Sequence, residues 1–148
     1  MTTERRLDIE TLVPMLKKAL RRGCRASRLL DAPELFEALY PSDQFPELDQ
    51  LDKAIRTEAR LREACDAYGG EYGQAMLILL GLAVGSHGLS LDARRALAAK
   101  HLDGPGGEAP QAETLRRHRE MQLLTDVCCD LAVKARERSF GCQARKSC

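Results

Sequence analysis

The chain has 148 residues, 44% of them apolar and 30% charged, and a net charge of +1. This is the balance of a soluble globular domain long enough to bury a core; it excludes a disordered chain and argues against a uniformly basic nucleic-acid binder. Aromatics make up 4% and tryptophan is absent, so leucine and alanine must fill the interior, which suits helix packing better than sheets.

No run of alternating β-branched or aromatic residues marks a strand. The charge is unevenly spread: residues 1–28 carry +5, residues 31–66 carry −6 and residues 132–148 carry +4. The opening MTTERRLDIETL lacks the apolar stretch of a signal peptide. The longest apolar run, Ala75–Val84, is ten residues interrupted by Gly81, well short of the roughly 20 that cross a bilayer. These features point to a cytoplasmic protein with no membrane partner. Its six cysteines then read as reduced thiols.

In chain order, Ile9, Leu12, Val13, Leu16, Ala19 and Leu20 form a helical stripe that Gly23 ends. Pro14 falls inside it, so the helix either begins near Thr11 or kinks at the proline. Asp31 and Glu34 have capping-box spacing for a helix that buries Leu35, Phe36 and Leu39 and stops at Pro41. Pro46 opens a longer helix to about Tyr68, with an inward face of Leu48, Leu51, Ile55, Ala59 and Cys65. After Gly69 and Gly70, the segment Glu71–Val84 is apolar nearly all round and is expected to be the most buried helix.

Ser90 caps a helix over Leu91–Leu102 that buries Leu91, Leu97, Ala98 and Leu102 and leaves Arg94, Arg95 and Lys100 largely outside. A Gly- and Pro-rich link, Asp103–Pro110, leads to a last helix over roughly Ala109–Arg138, about 45 Å long at about 1.5 Å per residue. Met121, Leu124, Cys128, Leu131 and Ala135 lie on one side of it, behind a basic start of Arg116, Arg117, His118 and Arg119. The final ten residues, SFGCQARKSC, lack periodicity and read as a flexible tail.

Chemistry is harder to find. Two helices with Arg116, Arg117 and Arg119 at the start of the second suggest a helix-turn-helix, since arginine suits phosphates and guanine edges. The eight-residue link is longer than the usual turn of 3–4 residues, and residues 89–119 carry only +2. Cys128 with Cys129, and Cys142 and Cys148 in the tail, lack the paired spacing of a zinc site, and His87, His101 and His118 are well separated. Cys128 reads as a small buried hydrophobe, and no nucleophile elbow, phosphate loop or metalloprotease motif is present.

The segments SLDARRALAAKHL and ETLRRHREMQLLTDV together resemble a helical domain that recurs in actinobacterial proteins. The positions that carry the resemblance are Leu91, Arg94, Arg95, Ala98, Ala99 and Leu102, then Thr114, Leu115, Arg116, Arg117, Glu120 and Leu124. The upstream LLGLAVGSHGLSL also fits that family's lead-in. Such domains often precede effector, signalling or NTPase modules, so the resemblance implies an adaptor or regulatory role. The link here is longer than the family's and no effector domain follows.

The sequence therefore predicts an all-α, single-domain bundle of five to seven helices over residues 1–138, with a long C-terminal helix and a tail at 139–148. It predicts a non-enzymatic regulatory or adaptor module that binds another protein, with no metal or cofactor. Arg94, Arg95, Arg116, Arg117 and Arg119 are the candidate interaction residues. A helix-turn-helix-like DNA-binding regulator is the alternative, and the last helix could pair two copies of the chain.

Overall fold

The computed structural model describes residues 8–86, 88–102 and 119–146, with side chains as far as Lys134. Among the described residues every regular element is a helix: α1 Ile9–Leu20, α2 Ala26–Leu29, α3 Glu34–Leu39, α4 Gln50–Tyr68, α5 Gly70–Leu79, α6 Leu91–Leu102 and α7 Glu120–Lys146. The expected all-α bundle is what the chain forms. None of these helices is long and apolar enough to cross a membrane.

Helix α1 follows its pattern: Leu12, Val13, Leu16, Ala19 and Leu20 are buried. It begins at Ile9, so Pro14 lies inside the helix rather than in its first turn. Gly23, at φ 98°, ends it as expected. The four-residue α2 was not expected, because a single turn is too short to show a period. Helix α3 buries Leu35, Phe36 and Leu39. The anticipated capping box does not form: Pro33 holds the cap position, Glu34 binds Lys18 Nζ at 2.7 Å and Asp31 takes Arg22 at 3.1 Å.

Helix α4 is the hub, packing against α2, α3, α5 and α7. It starts at Gln50, later than expected, because the Asp49 carboxylate accepts the Asp52 amide at 2.7 Å and sets the cap there. Its buried face is Lys53, Ala54, Thr57, Arg60, Leu61, Ala64 and Cys65. Leu51 and Ile55, expected inside, are each 50% exposed, and Ala59 is exposed beside them.

Helix α5 crosses α4 at close range: a Cβ at Gly73 would stand 2.4 Å from the Cys65 carbonyl oxygen. The helical part of the apolar run ends at Leu79, before the expected Val84, because Gly81 adopts φ 74°. The Gly81 amide donates to Ile78 O at 3.0 Å and the Leu82 amide to Leu77 O at 2.8 Å. This crossed pair closes a Schellman cap. Leu80, Leu82 and Ala83 stay buried beyond the helix, whereas Val84 is 99% exposed.

Helix α6 packs chiefly on α5, and α7 lies against α1 and α4. The buried stripe of α7 is Leu123, Leu124, Val127, Cys128, Leu131 and Ala132, with Met121 outside it at 49% exposure. The helix runs on to Lys146 through the stretch expected to be a tail. Apart from Gly141, that stretch contains no strong helix breaker, and Gln143, Ala144, Arg145 and Lys146 are good helix formers.

Candidate functional site

The C-termini of α1 and α5 meet. The Cys24 amide donates to Leu80 O at 2.8 Å, and a Cβ at Gly81 would come within 3.4 Å of the Gly23 Cα. Two helix ends that each present unpaired carbonyls and a partial negative charge are thus side by side. Arg94, from the first turn of α6, fills the gap. Its Nη1 donates to Leu79 O at 2.6 Å, its Nη2 to Leu20 O at 2.7 Å and Arg21 O at 3.2 Å, and its Nε to Leu89 O at 3.3 Å. The side chain is 1% exposed. Burial pulls the guanidinium below its ordinary pKa, with the nearby Cys24 opposing the shift; the group nonetheless keeps its charge. Helix termini, not a carboxylate, balance this cation.

Arg95 is buried by a different route. Its Nε and Nη2 reach the two Glu120 carboxylate oxygens at 2.7 and 3.2 Å, and its Nη1 reaches Asp92 at 3.1 Å. The hydrogen bonds it donates to Glu120 raise the guanidinium pKa further. Glu120 is 3% exposed, so the pair locks the start of α7 onto α6.

Arg94 and Arg95 were expected to face outward as interaction residues; both lie inside the fold. Fork-shaped donors find carbonyls and a carboxylate there, which removes the cost that otherwise keeps arginine at the surface. Arg116 and Arg117 lie outside the described residues. Arg119 is exposed at the entrance to α7. Of the positions that carry the sequence resemblance, Arg94, Arg95, Ala98, Ala99, Glu120 and Leu124 are all buried, so this part of the motif encodes packing.

Buried cations also hold α4. Lys53 donates to Glu37 at 3.1 Å and Ser42 at 2.8 Å. Arg60 donates to Leu131 O at 2.7 Å, with its guanidinium 6.0 Å from the Tyr40 ring centroid. These links turn the polar positions of α4 inward. The outer surface is left with Leu51 and Ile55, one turn apart, on a stretch where Glu47, Asp49, Asp52 and Arg56 are also exposed.

A second surface feature lies where α1 and α5 end. A cavity of about 200 Å³ is lined by Arg22, Arg25, Arg28, Ser27, Ser86 and Arg94 together with glycine backbone.

Burial pushes the thiols of Cys24, Cys65 and Cys128 up to about 12. They therefore stay protonated and poorly nucleophilic. Cys128 sits on the α7 stripe as a small apolar residue. Among the described residues no group of three His, Cys, Asp or Glu side chains could hold a metal ion. His101 Nδ1 instead contacts Glu71 at 2.6 Å, while His87 and His118 lie outside the described residues.

Fold and site together define an all-α domain whose helix ends and crossings are tied by interior arginines. No protein-family model, curated protein or solved structure matches the chain.

Proposed function

We propose that this protein is a non-enzymatic regulatory or adaptor module that works by binding another protein through the outer face of α4. One observation carries the reading: α4 buries Lys53 and Arg60 and leaves Leu51 and Ile55 half exposed. Isolated exposed leucines are common and need no explanation. Here the usual order is inverted along one helix, and the aliphatic pair sits in the segment that carries −6. A partner that fits would offer an apolar anchor flanked by lysine or arginine, the acid rim steering it and the aliphatic pair holding it.

The test compares affinity capture by the wild-type chain and by the double variant Leu51→Glu with Ile55→Glu, both checked for native helicity by circular dichroism. A partner bound by the wild type and lost with the variant supports the reading. Equal capture by the two proteins overturns it.

DNA binding through Arg116, Arg117 and Arg119 is the second reading. It has less support, because Arg94 and Arg95 are engaged inside the fold. A gel shift that weakens steeply with salt would favour it. Pairing of two copies through α7, on which Met121 and Val133 are about half exposed, would appear as a doubled mass in light scattering.

A further inference from the structure

We propose that the arginine-lined cavity at the junction of α1, α2 and α5 is a binding site for a phosphate group, either free inorganic phosphate or the head of a small phosphate monoester. Four guanidiniums line it and no carboxylate does. Among the described residues Asp31 pairs with Arg22 on the rim, while Arg25 and Arg28 form no ion pair. Arg22 is balanced by Asp31 and Arg94 by the helix-end carbonyls, so the positive charge left for an anion to compensate is that of Arg25 and Arg28. Arginine forks also match a phosphate's oxygens bidentately.

The second, independent observation is the floor. Arg94 is 1% exposed, and four of its contacts go to carbonyls. A guanidinium carries five N–H donors, so one donor on Nη1 has no acceptor among the described residues. That nitrogen stands beside Gly81, where a Cβ would lie 3.5 Å from it, and Gly81 also lines the cavity. The site therefore offers a buried cation held by four carbonyl contacts and exposed cations beside it.

Size sets the ligand class. At about 200 Å³ the cavity is smaller than the roughly 300–1,000 Å³ of pockets that enclose drug-sized molecules. It admits a phosphate head and leaves the body of an ester outside. Ser27 supplies a hydroxyl in the wall. The Ser86 hydroxyl donates to Ala83 O at 2.7 Å, which uses its proton and holds its loop in place.

The experiment is isothermal titration calorimetry of the full chain at constant ionic strength, set with sodium chloride, using inorganic phosphate, glycerol phosphate and adenosine monophosphate as separate probes. The expected result is saturable 1:1 binding of at least one probe, weakened roughly tenfold or more, about 1.4 kcal/mol, by Arg25→Ala with Arg28→Ala. Both arginines are exposed, so that variant keeps its fold, checked by an unchanged thermal midpoint. Preference for inorganic phosphate identifies a free-anion site, and preference for an ester identifies a head-group site. No saturable heat with any probe overturns the proposal. So does binding that the double variant retains, or that Lys17→Ala with Lys18→Ala weakens equally.

Discussion

Replacing Arg94 with methionine tests the central arrangement most directly. Methionine keeps the length of the side chain and its apolar stem but removes every donor. The carbonyls of Leu20, Arg21, Leu79 and Leu89 then lose the contacts that Arg94 makes. A buried acceptor without a partner costs about 1–3 kcal/mol; Leu79 O is left bare, Leu20 O keeps the Gly23 amide at 3.2 Å, and the Arg21 and Leu89 carbonyls are only part-buried, so the total loss is about 2–4 kcal/mol. The helix ends also lose the cation that faces their dipoles. A domain of this size shifts its melting temperature by about 2–4 °C per kcal/mol, so Arg94→Met should melt about 4–16 °C lower. Differential scanning calorimetry measures this. Arg22→Met is the internal control: its pair with Asp31 is exposed on both sides, and such surface pairs contribute at most about 1 kcal/mol. Equal melting temperatures for Arg94→Met and Arg22→Met would refute the assignment of Arg94 as the clamp on the two helix ends.

Three further outcomes follow from the same geometry. Arg95→Ala strands the buried Glu120 carboxylate and should cost about 3–5 kcal/mol in urea unfolding, whereas replacing both partners with methionine should recover most of that loss. Gly73→Ala places a methyl group against the Cys65 carbonyl at 2.4 Å; α4 and α5 must separate, and the midpoint of unfolding should fall clearly. The thiols of Cys24, Cys65 and Cys128 ionise near 9 when unfolded but only near 12 when buried. Their contribution is intact below pH 9 and is lost as the pH rises toward 12, by about 1.4 kcal/mol per thiol per pH unit. Urea titrations at pH 8 and pH 10 should differ by about 4 kcal/mol on this account, and Cys24→Ala should shrink that difference by about a third; an unchanged difference would contradict it.

Fold class was readable from the sequence because the interior of α1, α3 and α7 is written in leucine and alanine at helical spacing. The inner face of α4 was not. Hydrophobic periodicity assumes that aliphatic residues point inward, and the pattern of Leu48, Leu51 and Ile55 is a sound helical stripe. What decides the orientation is remote: Glu37 and Ser42 receive Lys53, and Leu131 O receives Arg60. None of these partners is visible within α4 itself. The candidate site failed in the same way. Arg94 and Arg95 look like surface residues until the carbonyls of two distant helix ends and Glu120 are brought to them. Ser90 at the start of α6 was a local signal and was read correctly; its hydroxyl accepts the Ala93 amide at 3.2 Å.

The reach of Arg94 bears on how quickly the chain assembles. Its bond to Leu20 O joins positions 74 residues apart, and closing so large a loop is entropically unfavourable until the intervening helices are docked. The clamp therefore belongs to the last stage of folding. Chevron analysis of Arg94→Met should show the refolding arm nearly unchanged and the unfolding arm accelerated, the mark of a φ-value near zero. On this view the arginine acts as a latch: it does little to guide the search for the native state and much to lengthen its lifetime.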